Sequence, residues 1–130
     1  MDRLSPFKSR AGLKRLVDAT TFSVRGFAAA WRNEASFRQE VIVGLLLVPV
    51  AAWLAPSLVQ ALALIGAIAF VWLVELLNSA IEALADAVTL ERHPLVGRAK
   101  DMGSAAVLLS LVLAVGVWLT VLWPVAAGWT

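Results

Sequence analysis

Every charged residue of this chain falls in one of two blocks. Residues 41–74 and 102–130 contain no Asp, Glu, Lys or Arg; all such residues lie in 1–40 and 75–101. Uncharged runs of this length are hard to bury in one water-soluble core of 130 residues, because small domains have too much surface for their volume. The composition agrees: 61% hydrophobic and 15% charged, against roughly half and about a quarter in soluble domains. Hydrocarbon is the solvent such runs require.

A membrane helix needs about 20 apolar residues. The run 41–74 would make one helix of roughly 51 Å, too long for a core of about 30 Å. It breaks naturally at Ala55-Pro56-Ser57, since proline disfavours helix at the residue before it. The sequence therefore predicts spans at about 34–54, 57–90 (with an extension beyond the hydrocarbon) and 98–123. Pro49 lies inside the first, where membrane helices tolerate it. Lys and Arg set the orientation. Eight of the eleven precede residue 39, three lie between 92 and 100, and the loop near 55–60 and the tail after 101 have none. That pattern puts the N-terminus in the cytoplasm. Trp53, Trp118, Trp123 and Trp129 are then expected at the outer interface, and Trp31 at the inner one.

Leu13, Leu16, Val17, Val24, Phe27 and Trp31 recur at helical spacing, with Thr20 on the same face and Lys14, Asp18, Arg25 and Arg32 largely on others. This predicts an amphipathic helix over about 5–30, lying on the inner leaflet. No apolar h-region follows the first basic residues, so the N-terminus does not read as a cleavable signal peptide.

The second charged block carries the chemistry. Asn78, Ser79, Glu82 and Asp86 follow Glu75 by three, four, seven and eleven residues, which places all five on one helical face. For Asp86 a solvated extension of the helix explains this. Glu75, about 18 residues into its span, stands near membrane depth, where carboxylates are costly and usually functional. Two carboxylates one to two turns apart can divide acid–base and metal work, and oxygen ligands of this kind suit Mg²⁺. Glu34, at the start of the first span, is a third candidate; spacing alone leaves it an interfacial charge, like Arg38, Gln39 and Glu40 after it. Arg98 and Lys100, before the third span, can hold polyphosphate or anchor the interface. His93, the only histidine, reads as an ordinary loop residue. No Walker loop, kinase-type glycine loop or HExxH is present. The chain has no cysteine, and its net charge of +2 is too sparse a basic field for a nucleic-acid binder.

Three stretches go further. The run ELLNSAIEALAD at 75–86 resembles the signature of the prokaryotic diacylglycerol kinases, small integral-membrane lipid kinases. AAWRNEASFRQE at 29–40 and GRAKDMGSAAV at 97–107 resemble that family's other two blocks, and the likeness runs from about 13 to 123. The resemblance implies one all-α membrane kinase domain, an N-terminal amphipathic surface helix plus three transmembrane helices. It also implies a homotrimer whose active sites are shared between subunits in the bacterial inner membrane. The family moves the γ-phosphate of ATP to the hydroxyl of diacylglycerol, giving phosphatidic acid and ADP. Carried onto this sequence, Glu75 is the general base, Glu34 and Glu82 bind the Mg²⁺ that bridges the ATP phosphates, and Asn78 and Asp86 support that cluster. Lys100 and Asp101 contact nucleotide, with Arg15 near both phosphate and lipid. Glu91, Arg92 and His93 occupy the adenosine-contacting loop. Phe22 stands where relatives often carry Tyr, leaving ring contact as its means of meeting nucleotide. Ser104 sits near the lipid headgroup. The lipid lies between surface helix and spans, touching Ala19, Ser23, Val24, Ala30, Trp31, Ser36, Arg38, Gln39 and Glu40. Enzymes of the same fold phosphorylate undecaprenol, so that substrate is the alternative; a non-enzymatic transporter or assembly subunit is a third reading.

Overall fold

The structure, a computed structural model, describes residues 12–128. Four helices follow one another: α1 (Gly12–Asn33), α2 (Ala35–Leu54), α3 (Leu58–Val88) and α4 (Pro94–Ala126). No strand occurs among the described residues. The expected surface helix is α1; the part of that expectation covering 5–11, and Trp129, lie outside the described residues. Helices α2, α3 and α4 are each long and apolar enough to cross a membrane.

The helix ends follow local chemistry. Ala55, before Pro56, is extended at φ −65° and ψ 130° and closes α2. Ser57 then caps α3, its hydroxyl oxygen accepting from the Gln60 N–H at 3.2 Å. Helix α4 starts at Pro94, earlier than the charge pattern suggests, because proline suits a first helical position and His93 Nδ1 accepts from the Leu95 N–H at 3.2 Å. Between α1 and α2 only Glu34 leaves helical geometry, at φ −114° and ψ 106°. No side chain caps α2 there. Instead Arg38 reaches back, its Nη1 donating to the carbonyls of Trp31 at 2.8 Å and Arg32 at 3.2 Å. A cation on the last carbonyls of a helix is favoured both as donor and against the helix dipole.

Helix α3 is the mount. It packs most extensively on α4, less on α2 and lightly on α1. Its buried residues include Leu64, Ile68, Val71, Glu75, Asn78 and Ala85, recurring at the three-four spacing that keeps one stripe facing its neighbours. The stripe is apolar up to Val71 and turns polar at Glu75, Asn78 and Ser79. At 1.5 Å per residue α3 and α4 are roughly 46 and 50 Å long, against a hydrocarbon core of about 30 Å. The charged block 75–101 therefore lies in the portion of both helices that outruns the membrane, or at its edge. Small residues let the helices approach, as membrane helices require. Gly44 of α2 is buried against α3: a Cβ there would lie 2.5 Å from Trp72 Cζ2 and 2.6 Å from Ile68 Cγ2. Two indoles tie the bundle together. Trp72 Nε1 donates to the Glu40 carbonyl at 3.0 Å, and Trp118 Nε1 to the Leu64 carbonyl at 3.2 Å. Trp118 is half-buried and engaged between helices rather than free at an interface, while Trp53 and Trp123 are exposed.

The apolar face of α1 is exposed too, with Leu13, Leu16, Val17, Val24 and Phe27 all uncovered. Thr20, Thr21 and Ser23 return their hydroxyls to the carbonyls of Leu16, Val17 and Ala19 at 2.8–3.0 Å. That internal bonding explains how Thr20 belongs to an otherwise apolar stripe.

Candidate active site

Four carboxylates from three parts of the chain meet at the charged end of the bundle. Glu75 is 4% exposed. The charges of Glu82 and Glu34 bear on it, and its own bears on Glu40. Glu75 and Glu82 lie about two turns apart on α3; Glu34 is delivered by the break between α1 and α2; Glu40 follows from the second turn of α2. Asn78 donates through Nδ2 to Glu82 Oε1 at 3.3 Å. Among the described residues none of these four carboxylates has an ion-pair partner.

Grouped acids without cations repel one another, and removing them from water adds a further cost. A bound cation or uptake of a proton relieves that cost. The donors present fit a hard divalent ion: carboxylate oxygens at Glu34 and at Glu82, whose Oε1 is held by the Asn78 amide. Among the described residues no three His, Cys, Asp or Glu groups converge closely enough to hold a metal by themselves. An ion here takes its remaining ligands from another source, as Mg²⁺ does when it arrives on phosphates.

Asn78 is itself held by its neighbour. Gly103 of α4 is buried under it, and a Cβ at 103 would overlap Asn78 Oδ1. Lys100, one turn earlier on α4, pairs with Asp86 of α3 at 3.0 Å; both are substantially exposed. The two contacts brace the polar ends of α3 and α4 against each other.

A groove of about 610 Å³ separates α1 from α3. Ser23, Ala30 and Glu34, all named from sequence, line it together with Gly26, Asn33 and Ser79. Gln39 and Glu40 do not; they stand at one end of a second, almost wholly apolar groove of about 740 Å³ between α2, α3 and α4. Glu40 Oε2 is buried there without a hydrogen-bond partner. Ala19, Val24, Trp31 and Ser36 line neither groove.

The remaining sequence candidates are scattered within one chain. Arg15 is exposed on α1, 18 residues before Asn33 and so about 27 Å along the helix axis from the cluster. Phe22 is exposed, with Arg25 Cζ 5.9 Å from its ring centroid. Asp101 and Ser104 are exposed at the start of α4, and Glu91, Arg92 and His93 in the loop before it. His93 Nδ1 is engaged as the cap of α4. Sequence reasoning did not single out the close approach of Gly103 to Asn78, Arg38 as a cap for α1, or Ser79 as a groove residue. A glycine within an apolar span was the only signal for the first.

Known proteins resemble this chain along most of its length. Residues 21–122 match the family described as prokaryotic diacylglycerol kinase. The chain is 50% identical over 118 residues to a diacylglycerol kinase of Pseudomonas aeruginosa, covering 91% of this chain and 96% of that protein. It is 48% identical over 112 residues to the diacylglycerol kinase of Escherichia coli, covering 86% and 92%. A Helicobacter pylori diacylglycerol kinase is 40% identical over 107 residues, covering 82% and 84%. The matched stretch contains Glu34, Glu75, Asn78, Glu82 and Lys100, and the chain belongs to the prokaryotic diacylglycerol kinase family.

Proposed function

We propose that this chain is an ATP-dependent diacylglycerol kinase, transferring the γ-phosphoryl group of ATP to the free hydroxyl of diacylglycerol at the cytoplasmic face of the bacterial inner membrane. The observation that carries this reading is the placement of Glu75, buried where the apolar stripe of α3 turns acidic and coupled to Glu82 and Glu34. A lipid hydroxyl and a polyphosphate have to meet at that depth.

An alcohol is not ionised near neutral pH, so it needs a base while it attacks. Glu75 accepts the hydroxyl proton as the oxygen approaches the γ-phosphorus, and the bond to the ADP oxygen breaks. Glu34 and Glu82, the latter held by the Asn78 amide N–H, are the residues to hold Mg²⁺. When bound, that ion neutralises phosphate charge during transfer. Lys100 and Asp101 meet the nucleotide at the mouth of α4, and Glu91, Arg92 and His93 meet its adenosine end. The distance of Arg15 and Phe22 from the cluster in one chain supports a site completed by a neighbouring copy, as in a homotrimer with shared sites. The basic residues around α1 support a cytoplasmic N-terminus.

The test offers purified protein, in detergent micelles with Mg-ATP, dioctanoylglycerol or undecaprenol. Phosphate transfer to dioctanoylglycerol is expected. Transfer to undecaprenol alone makes the chain an undecaprenol kinase, and transfer to neither, with the fold intact, removes the kinase reading.

A further inference from the structure

Ser79 is 8% exposed, and its hydroxyl is buried without any hydrogen-bond partner. Ser110, the other buried serine of the described residues, does have a partner. Thr20, Thr21, Ser23, Ser110 and Thr120 each return their hydroxyl to a carbonyl three or four residues back, the ordinary way a helix satisfies such a group. Ser79 lies mid-helix in α3 and does not. A buried hydroxyl left without a partner is costly.

Its position says what meets it. Ser79 follows Glu75 by one helical turn, so the two side chains are neighbours on one face. Glu75 does not line the groove between α1 and α3, whereas Ser79 does, as Glu34 does, and Ser79 is the only polar α3 residue among its lining. The groove and the carboxylate face of α3 thus adjoin at this one side chain. The rest of the groove's α3 wall is Leu76, Ala80 and Ala83, which suits a lipid.

We infer that Ser79 is a substrate contact that donates a hydrogen bond to the reacting hydroxyl oxygen of the lipid while that hydroxyl donates to Glu75. The inference rests on the kinase reading above. An alcohol has one donor and two acceptor lone pairs. One lone pair accepts from Ser79, the proton faces Glu75, and the second lone pair is left for attack. As the O–P bond forms, the proton passes to the Glu75 carboxylate and the bond to ADP breaks, ADP leaving with the electron pair. The Ser79 hydroxyl keeps its proton throughout and steadies the charge developing on the attacking oxygen.

The test compares full-length wild type, Ser79→Ala and Ser79→Thr in micelles with Mg-ATP and dioctanoylglycerol, varying each substrate in turn. Ser79→Ala is expected to lower kcat/KM for the lipid about tenfold, the equivalent of one hydrogen bond. Its KM for Mg-ATP and its thermal midpoint are expected to match or exceed wild type, because alanine removes an unsatisfied group. Ser79→Thr keeps the donor and is expected to restore most of the loss. Wild-type lipid kinetics in Ser79→Ala, or a loss that tracks a lowered thermal midpoint and is not rescued by threonine, overturns the inference. If wild type itself phosphorylates no dioctanoylglycerol, it is the kinase reading that fails.

Discussion

Asn78 of α3 lies directly over Gly103 of α4, so closely that a Cβ at 103 would overlap its Oδ1. The obstructing atom is the end of a side chain, not backbone. In Gly103→Ala the amide therefore swings aside and the helices stay in place. The movement breaks the 3.3 Å bond from Nδ2 to Glu82 Oε1. Stability is expected to change by less than about 1 kcal/mol, while kinase activity falls at least about tenfold. The check is a thermal melt in detergent alongside a lipid kinase assay. A variant that loses both together, in proportion, shows that the contact serves packing instead.

Gly44 presents the opposite case. Its missing Cβ would strike the Trp72 ring at 2.5 Å and Ile68 Cγ2 at 2.6 Å. The ring cannot swing away freely, because its Nε1 is bonded to the Glu40 carbonyl at 3.0 Å. Gly44→Ala is expected to destabilise by about 1–3 kcal/mol, the usual cost of overpacking. The thermal midpoint in detergent falls and tryptophan emission shifts. The companion variant Gly116→Ala meets nothing within 4 Å and is expected to leave the midpoint within error of wild type.

These two glycines show where sequence reading stops. Four helices, three of them spans, were legible because charge is confined to two blocks and helical periodicity persists through α1 and α3. Glu75 was legible because a carboxylate near membrane depth is expensive. Glu34 was not legible from spacing, since its partnership with Glu75 depends on a one-residue break bringing α1, α2 and α3 together; only likeness to a family singled it out. Gly44 and Gly103 look alike in sequence, yet one meets a ring and the other an amide. Arg38 read as an interfacial anchor because no periodicity signals that a side chain returns seven residues to a carbonyl.

Arg38 is expected to set the angle between α1 and α2. Its Nη1 donates to the last carbonyls of α1, from Trp31 and Arg32, and no side chain caps α2 at the Glu34 break. Charge-assisted bonds of this kind are worth roughly 1.5–3 kcal/mol when buried and less at this half-buried position. Arg38→Ala is expected to loosen α1 while the spans hold. Limited proteolysis then cuts faster between α1 and α2, with the thermal midpoint nearly unchanged. Arg38→Lys restores charge without the planar fork and is expected to recover part of the protection. Equal proteolysis in Arg38→Ala and wild type discards the capping role.

The Lys100–Asp86 pair lies in the open, at 3.0 Å with side chains 42% and 58% exposed. Exposed pairs contribute about 1 kcal/mol or less, and salt screens them. Asp86→Asn is therefore expected to leave thermal stability close to wild type. If Lys100 meets the phosphates of ATP, its carboxylate partner competes with them, and the variant frees the ammonium group. The expected result is a KM for Mg-ATP that is unchanged or lowered by up to about threefold at low salt, with the difference vanishing at high salt. Lys100→Met, which keeps the length and removes the charge, is expected to raise KM for Mg-ATP at least about tenfold. A steady-state titration of Mg-ATP at two ionic strengths separates these outcomes. A raised, salt-independent KM in Asp86→Asn would show instead that Asp86 holds Lys100 in its working position.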